Sequence, residues 1–202
     1  WLHQEIPAHW QELDELKNYS GRVVYRKRFK FSPEQGKRYW LKINGVFYWY
    51  AVYLNGFRLG ANQGYFVPAC FEITDAIEDG ENELLLEVSC FEEKDKTRKK
   101  QILGVWGHWD CLYRDWNPAG IWLPIEILSS GPIAIFDPMF YTLYLHPEYA
   151  RIEGSVRFDS REREELDFKI RLVAENHDSP GVEKEWTVYK GSGLKGYRYW
   201  FD

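Results

Sequence analysis

Residues 105–122, VWGHWDCLYRDWNPAGIW, hold four of the ten tryptophans of the chain, with two aspartates among them. Trp109, Asp110, Asp115 and Trp116 are the residues there whose types could do chemistry. An indole face packs against the C–H face of a pyranose, and a carboxylate accepts hydrogen bonds from vicinal hydroxyls and so fixes orientation. That is recognition chemistry. Paired-carboxyl catalysis, with one group protonated and one ionised, needs the two about 5–5.5 Å apart. Nothing in the spacing of Asp110 and Asp115 would hold a loop pair at that separation, so no catalytic residue is assigned. The competing reading is packing, with Trp116 and Trp122 filling a domain surface and Arg114 and Asp115 forming a local ion pair. Asn62, in GANQGYF, stands beside glycines in a stretch of the kind that commonly forms turns.

Other reactive residue types form no pattern. Cys70, Cys90 and Cys111 lie about twenty residues apart without a CxxC, which suggests buried thiols rather than a disulfide scaffold. His3, His9, His108, His146 and His177 are dispersed, and no metal site or cofactor is expected. A net charge of -5 leaves no basic footprint for nucleic acid. No apolar run reaches the length of a membrane span, and no signal peptide is evident. The chain starts at Trp1 and its one Met is Met139, so a piece of a longer polypeptide is expected. A cytoplasmic location is expected, with secretion or a periplasmic location left open. Aromatics reach 18 % of residues, and most of these rings are expected to pack a β-protein core.

The elements that must position these residues are strands. RVVYRKRFKF (22–31) alternates Val23, Tyr25, Phe29 and Phe31 with Arg22, Arg26, Arg28 and Lys30, which predicts a strand with one wet face. RYWLKI repeats the pattern with Tyr39, Leu41 and Ile43, and ELLLEVSCF with Leu84, Leu86, Val88 and Cys90. Asn55-Gly56 between two apolar runs predicts a type I′ hairpin. IWLPIEI predicts one more strand, with Pro124 at an edge or bulge. HWQELDELKNY suggests a short surface turn, and ITDAIEDGEN a turn or two of helix capped by Thr74 or Asp75 and stopped at Gly80. EEKDKTRKK (92–100) reads as a solvated loop, since its acids and bases interleave. Ser, Gly and Pro punctuate SSGPIAI (129–135), dividing the chain into 1–131 and 132–202. The second part carries five strand-like runs, where a complete immunoglobulin-like sandwich wants about seven strands and ~100 residues. It is expected to be incomplete, with an exposed edge prone to pair with another copy.

These residues carry a family resemblance. Tyr19-x-Gly21, Tyr25-Arg26-x-x-Phe29, Gly45-Val46, Val52-Tyr53-Leu54-Asn55-Gly56, Leu59-Gly60, Gly64-Tyr65-x-x-Pro68, Asp75 and Gly80-x-Asn82 stand in the order of the amino-terminal sugar-binding domain of glycoside hydrolase family 2. Ala119-Gly120-Ile121-Trp122 resembles the closing run of that domain. Members include β-galactosidases, β-glucuronidases and β-mannosidases.

The resemblance implies an all-β chain: a jelly-roll (galactose-binding-like) β-sandwich over 1–131, then an immunoglobulin-like β-sandwich over 132–202. It also implies a catalytic (β/α)₈ barrel outside this chain, carrying two glutamates as acid/base and nucleophile, and a homo-oligomeric parent enzyme acting on β-linked glycosides. The loop before the Gly-Ile-Trp run would lend an Asp or a Trp to the sugar. HWDCLYRDWNP is similar to the Trp-Asp-Trp loop of β-mannosidases, which favours Trp109 and Asp110, although Cys111 interrupts the motif. It is more loosely similar to the Asp-x-Trp loop of β-galactosidases, which favours Asp115 and Trp116. Asn62 sits near a second loop from which β-galactosidases contribute an Asn. A self-sufficient carbohydrate-binding module, and a purely structural or oligomerisation domain, are the alternatives.

Overall fold

Alternation in the sequence becomes strand almost throughout the computed structural model, which describes residues 1–92, 118–161, 166–174, 181–190 and 197–201. The chain divides into two compact units, Trp1–Ser129 and Ser130–Asp202.

In the first unit, β1 (Gly21–Phe31), β7 (Gly80–Cys90), β4 (Trp49–Leu54) and β5 (Phe57–Gln63) form one sheet in the order β1-β7-β4-β5. A second sheet runs β6-β2-β9, from β6 (Ala69–Glu72), β2 (Arg38–Ile43) and β9 (Ile125–Ser130). The short strands β3 (Val46–Phe47) and β8 (Gly120–Ile121) pair with each other. Leu41, Ile43, Val52, Leu54, Leu86, Val88 and Ile121 meet in one core. The inward positions of β1, β2 and β7 are those the period-two pattern selects. Each buried Val, Leu or Ile there contributes about 1.5–3 kcal/mol by leaving water.

The Asn55-Gly56 turn forms as expected. Both residues have positive φ, 51° and 83°, the type I′ signature that needs Gly or Asn. Asn55 also braces the neighbouring strand: its Nδ2 donates to Ala76 O, and its Oδ1 accepts from Glu83 N at 2.8 Å.

Three local expectations are corrected. The face of β2 that alternation leaves wet is largely buried: Arg38 and Trp40 are 5 % and 8 % exposed. The Arg38 guanidinium makes this tolerable by donating twice to Glu72 (2.9 and 3.0 Å) and lying over the Trp40 ring. IWLPIEI is two strands, β8 and β9, because Trp122–Pro124 interrupts it. In HWQELDELKNY, two 3₁₀ turns form at Trp10–Glu12 and Asp14–Leu16, and Trp10 is fully buried rather than at the surface. ITDAIEDGEN makes one turn, within what was expected, with Ala76 N and Ile77 N both donating to Ile73 O. The Thr74 hydroxyl serves Glu72 and Tyr39 instead of capping a helix. Of the cysteines, Cys90 is buried as expected, whereas Cys70 is exposed, contrary to expectation.

The second unit contains β10 (Ile133–Leu145), β11 (Ala150–Ser160) and β14 (Tyr197–Phe201) in one sheet, ordered β10-β11-β14. A separate antiparallel hairpin joins β12 (Leu166–Ala174) and β13 (Val182–Lys190). The hairpin carries cross-strand ion pairs, Lys169–Glu185 at 2.7 Å and Arg171–Glu183 at 2.6 Å. All five runs of 132–202 anticipated as strands are strands.

Candidate functional site

Trp109, Asp110, Asp115 and Trp116 lie outside the described residues, as do 93–100 of the charged run. What the structure shows is how the two ends of segment 93–117 are held. At the exit from β7, Glu92 N donates to Ser20 Oγ at 2.6 Å. At the return, the Cys90 thiol donates to Pro118 O at 3.4 Å. The amino-terminal segment then adds an edge to β8: Ala8 N donates to Ile121 O and Trp10 N to Ala119 O, both at 2.8 Å. Gln11 completes the latch by accepting from Ala119 N at 3.1 Å. Gly120 is required there. Its φ is +115°, and a Cβ would meet Tyr25 Oη at 2.7 Å and Trp10 N at 3.0 Å.

Beside the latch stands an aromatic shelf that sequence reasoning did not assemble. Phe47 is fully buried and stacks on Tyr65 at 4.8 Å with an interplanar angle of 12°. Trp122 tilts against Phe47 at 6.0 Å and meets Phe66 edge-on at 5.3 Å. Phe66 and Val67 at the rim are 56 % and 51 % exposed. The shelf joins rings from β3, from the turn after β5, and from the residue after β8. No local window could have shown it; the only hint in the sequence was an aromatic pair, Tyr65-Phe66, inside a turn. Trp122 proves to be a packed ring, half-buried, with its Nε1 donating to Tyr65 O at 2.9 Å.

Asn62 lies at the foot of the turn that carries Tyr65 and Phe66. Its Nδ2 donates to Val67 O at 3.1 Å and to Tyr50 Oη at 3.3 Å, so both amide protons are committed within the protein. Asn62 therefore shapes the turn, and only its carbonyl oxygen could serve a ligand. Gly64 N adds a third tie, to Tyr48 O at 3.1 Å.

Burial keeps this region uncharged. It raises the pKa of the Tyr25 hydroxyl, and that of Tyr50 despite the opposing hydrogen bond from Asn62, so both phenols are protonated at neutral pH. The His9 imidazole, 5.7 Å from the Phe47 ring, has its pKa lowered chiefly by burial, with a backbone hydrogen bond at Ala119 and the charge of Glu12 opposing.

The family model described as "Glycosyl hydrolase 2 galactose-binding domain-like" matches residues 7–122, more than half of the chain. The chain belongs to that family. The match runs from Pro7, before the latch, to Trp122 on the shelf.

Among curated relatives, this family member is 29 % identical over 150 residues to a β-glucuronidase of Formosa agariphila, covering 73 % of this chain. It is 27 % identical over 128 residues to an exo-β-D-glucosaminidase of Arthroderma benhamiae. It spans only 15 % and 13 % of the lengths of those two relatives. Among solved structures, a Bacteroides uniformis β-glucuronidase is similar over 100 % of this chain and 24 % of its own, with a TM-score of 0.76 at 15 % identity. A putative β-galactosidase of Bacteroides fragilis is similar over 100 % of this chain and 30 % of its own, with a TM-score of 0.71 at 21 % identity. At such identities these likenesses bear on fold. They agree with the all-β reading, a sugar-binding-domain sandwich followed by further β-structure.

Proposed function

We propose that this chain is the amino-terminal, non-catalytic part of a retaining family 2 β-glycosidase, scaffolding and lining a sugar site whose two catalytic glutamates lie in a barrel outside it. The family match over 7–122 carries the reading. The chemistry of the shelf and the latch supports it. The shelf offers apolar ring surface, and the latch fixes both ends of the segment that carries Trp109, Asp110, Asp115 and Trp116. Interactions remote from the scissile bond assist catalysis by positioning the reacting ring. A lining surface therefore needs rigidity more than reactivity. The substrate class would be a β-linked glycoside.

Calorimetric titration with galactose, mannose, glucuronic acid and short β-linked oligosaccharides tests the contact. Hydrolysis of aryl β-glycosides by the chain alone should be undetectable. Sugar binding in the millimolar range or tighter, lost in Trp116→Ala, would establish direct contact, and Phe66→Ala should weaken it by up to about tenfold, the worth of one aromatic contact. Heat that survives both substitutions would move the contact elsewhere, and no heat with any sugar would leave a scaffold alone. Turnover by the chain alone would overturn the non-catalytic assignment.

A further inference from the structure

We infer that Trp122 is a positioning residue for the candidate site: its indole N–H sets the turn that carries Tyr65, Phe66 and Val67, and ties that turn to the latch. The role deepens the proposed function, and rests on it wherever sugar is involved.

Residues 64–68, between β5 and β6, turn back on a weak closure. Gly64 takes φ +103°, and Val67 N donates to Gly64 O at a long 3.3 Å. Bonds from outside the turn set its place. Gly64 N donates to Tyr48 O and Asn62 Nδ2 to Val67 O, both at 3.1 Å. Tyr48 and Asn62 stand at the open end of the β4–β5 hairpin, which the turn itself leaves. The third bond is the shortest of the set, from the Trp122 indole to Tyr65 O at 2.9 Å. It brings in an element 57 residues away in sequence.

The indole can hold the turn because it is itself clamped. Ile121 pairs with Val46 in the β3–β8 ladder, and Leu123 N donates to Gly45 O at 3.3 Å. Trp122, between them, passes over the bare backbone of Gly45, where a Cβ would meet its Nε1 at 2.7 Å. Tyr65 is then held twice, its ring by the stacked Phe47 and its carbonyl by the indole. Phe66 meets the same indole edge-on and stays exposed. A ring fixed in this way meets a ligand with little rotamer freedom left to lose. The residue before Trp122 serves the latch, since Ile121 O accepts from Ala8 N. Latch and turn are therefore joined through two consecutive residues. Any large ring at 122 could fill space; only a ring with a donor aimed at Tyr65 O can hold the turn.

Amide exchange of the full chain, read by NMR, tests the role without sugar. Trp122→Phe keeps a ring and removes the donor. It should speed exchange at Gly64 and Val67 by about three- to tenfold, the worth of one neutral hydrogen bond, and affect Leu86 and Val88 of β7 less. Unaltered exchange at Gly64 and Val67 would overturn the role, and so would an equal rise in β7, the mark of a packing residue. In the unsubstituted chain, the Trp122 indole proton should share the protection of the Gly64 amide, and unlike protection would sever the link. Where the chain binds sugar, Phe66→Ala alone and together with Trp122→Phe should lose the same affinity, because the indole acts through the rim. A further loss in the double variant would put the indole itself against the sugar and overturn the role. No heat with any sugar would count against the proposed function instead, and the exchange rates would still decide what Trp122 does.

Discussion

At the residue scale, His9 shows how a side chain unremarkable in sequence acquires a role by packing. It precedes the first 3₁₀ turn, its backbone N–H reaches Glu12 Oε1 at 3.3 Å, and its ring lies against Phe47. Burial disfavours the imidazolium, so the folded pKa falls below the ordinary value of 6.5. The unfolded chain then binds more protons on acidification, and folding stability is lost as pH falls below about 6.5 through the lowered folded value. Urea midpoints of the intact chain should decline over that window, and His9→Gln, which cannot titrate, should flatten the decline. An unchanged slope in His9→Gln would assign the acid sensitivity to other groups. None of this was legible in HWQEL, because burial of the ring depends on Phe47, 38 residues on in the sequence.

At the scale of elements, the sequence was most readable where one strand has one wet face. β1, β7 and the β4–β5 hairpin follow from alternation and from the φ demands of Asn55-Gly56. It was least readable where a strand is covered twice. β2 hides Arg38 and Trp40 because Glu72, from β6, neutralises the guanidinium, and a charged residue within an alternating pattern gives no sign of that partner. The shelf was illegible for a related reason: Phe47, Tyr65 and Trp122 meet only after β3 pairs with β8. That pairing hinges on Gly120, which faces Phe47 across the ladder. Gly120→Ala would force a non-glycine residue to φ +115° and drive a Cβ into Tyr25 and Trp10. The expected loss is on the order of 3 kcal/mol, from backbone strain plus overpacking. Denaturant titration checks it, and a shift within about 0.5 kcal/mol of wild type, as at a tolerant surface site, would mean that the latch is not tightly packed. Sugar heat, if the chain alone binds, should fall in the same variant, since the latch holds the segment that bears Trp116.

At the scale of the molecule, each of the two units has buried apolar residues of its own. One buried cluster runs from Trp10 through Ile121, with Ile125 and Ile127 packed against it, within Trp1–Ser129, and Ala134, Val156 and Phe158 are buried in the second unit. A domain of about 130 residues buries roughly two-thirds of the surface its unfolded chain exposes, enough for independent stability. In the second unit, Ile135, Phe140, Leu143, Tyr144, Leu145 and Tyr149 are all exposed. Residues 1–129 expressed alone should therefore fold, with a single cooperative denaturant transition and a stability in the ordinary range of about 5–15 kcal/mol. Far-ultraviolet dichroism and tryptophan emission should report coincident midpoints. Non-coincident transitions would mean that the first unit draws stability from residues beyond 129.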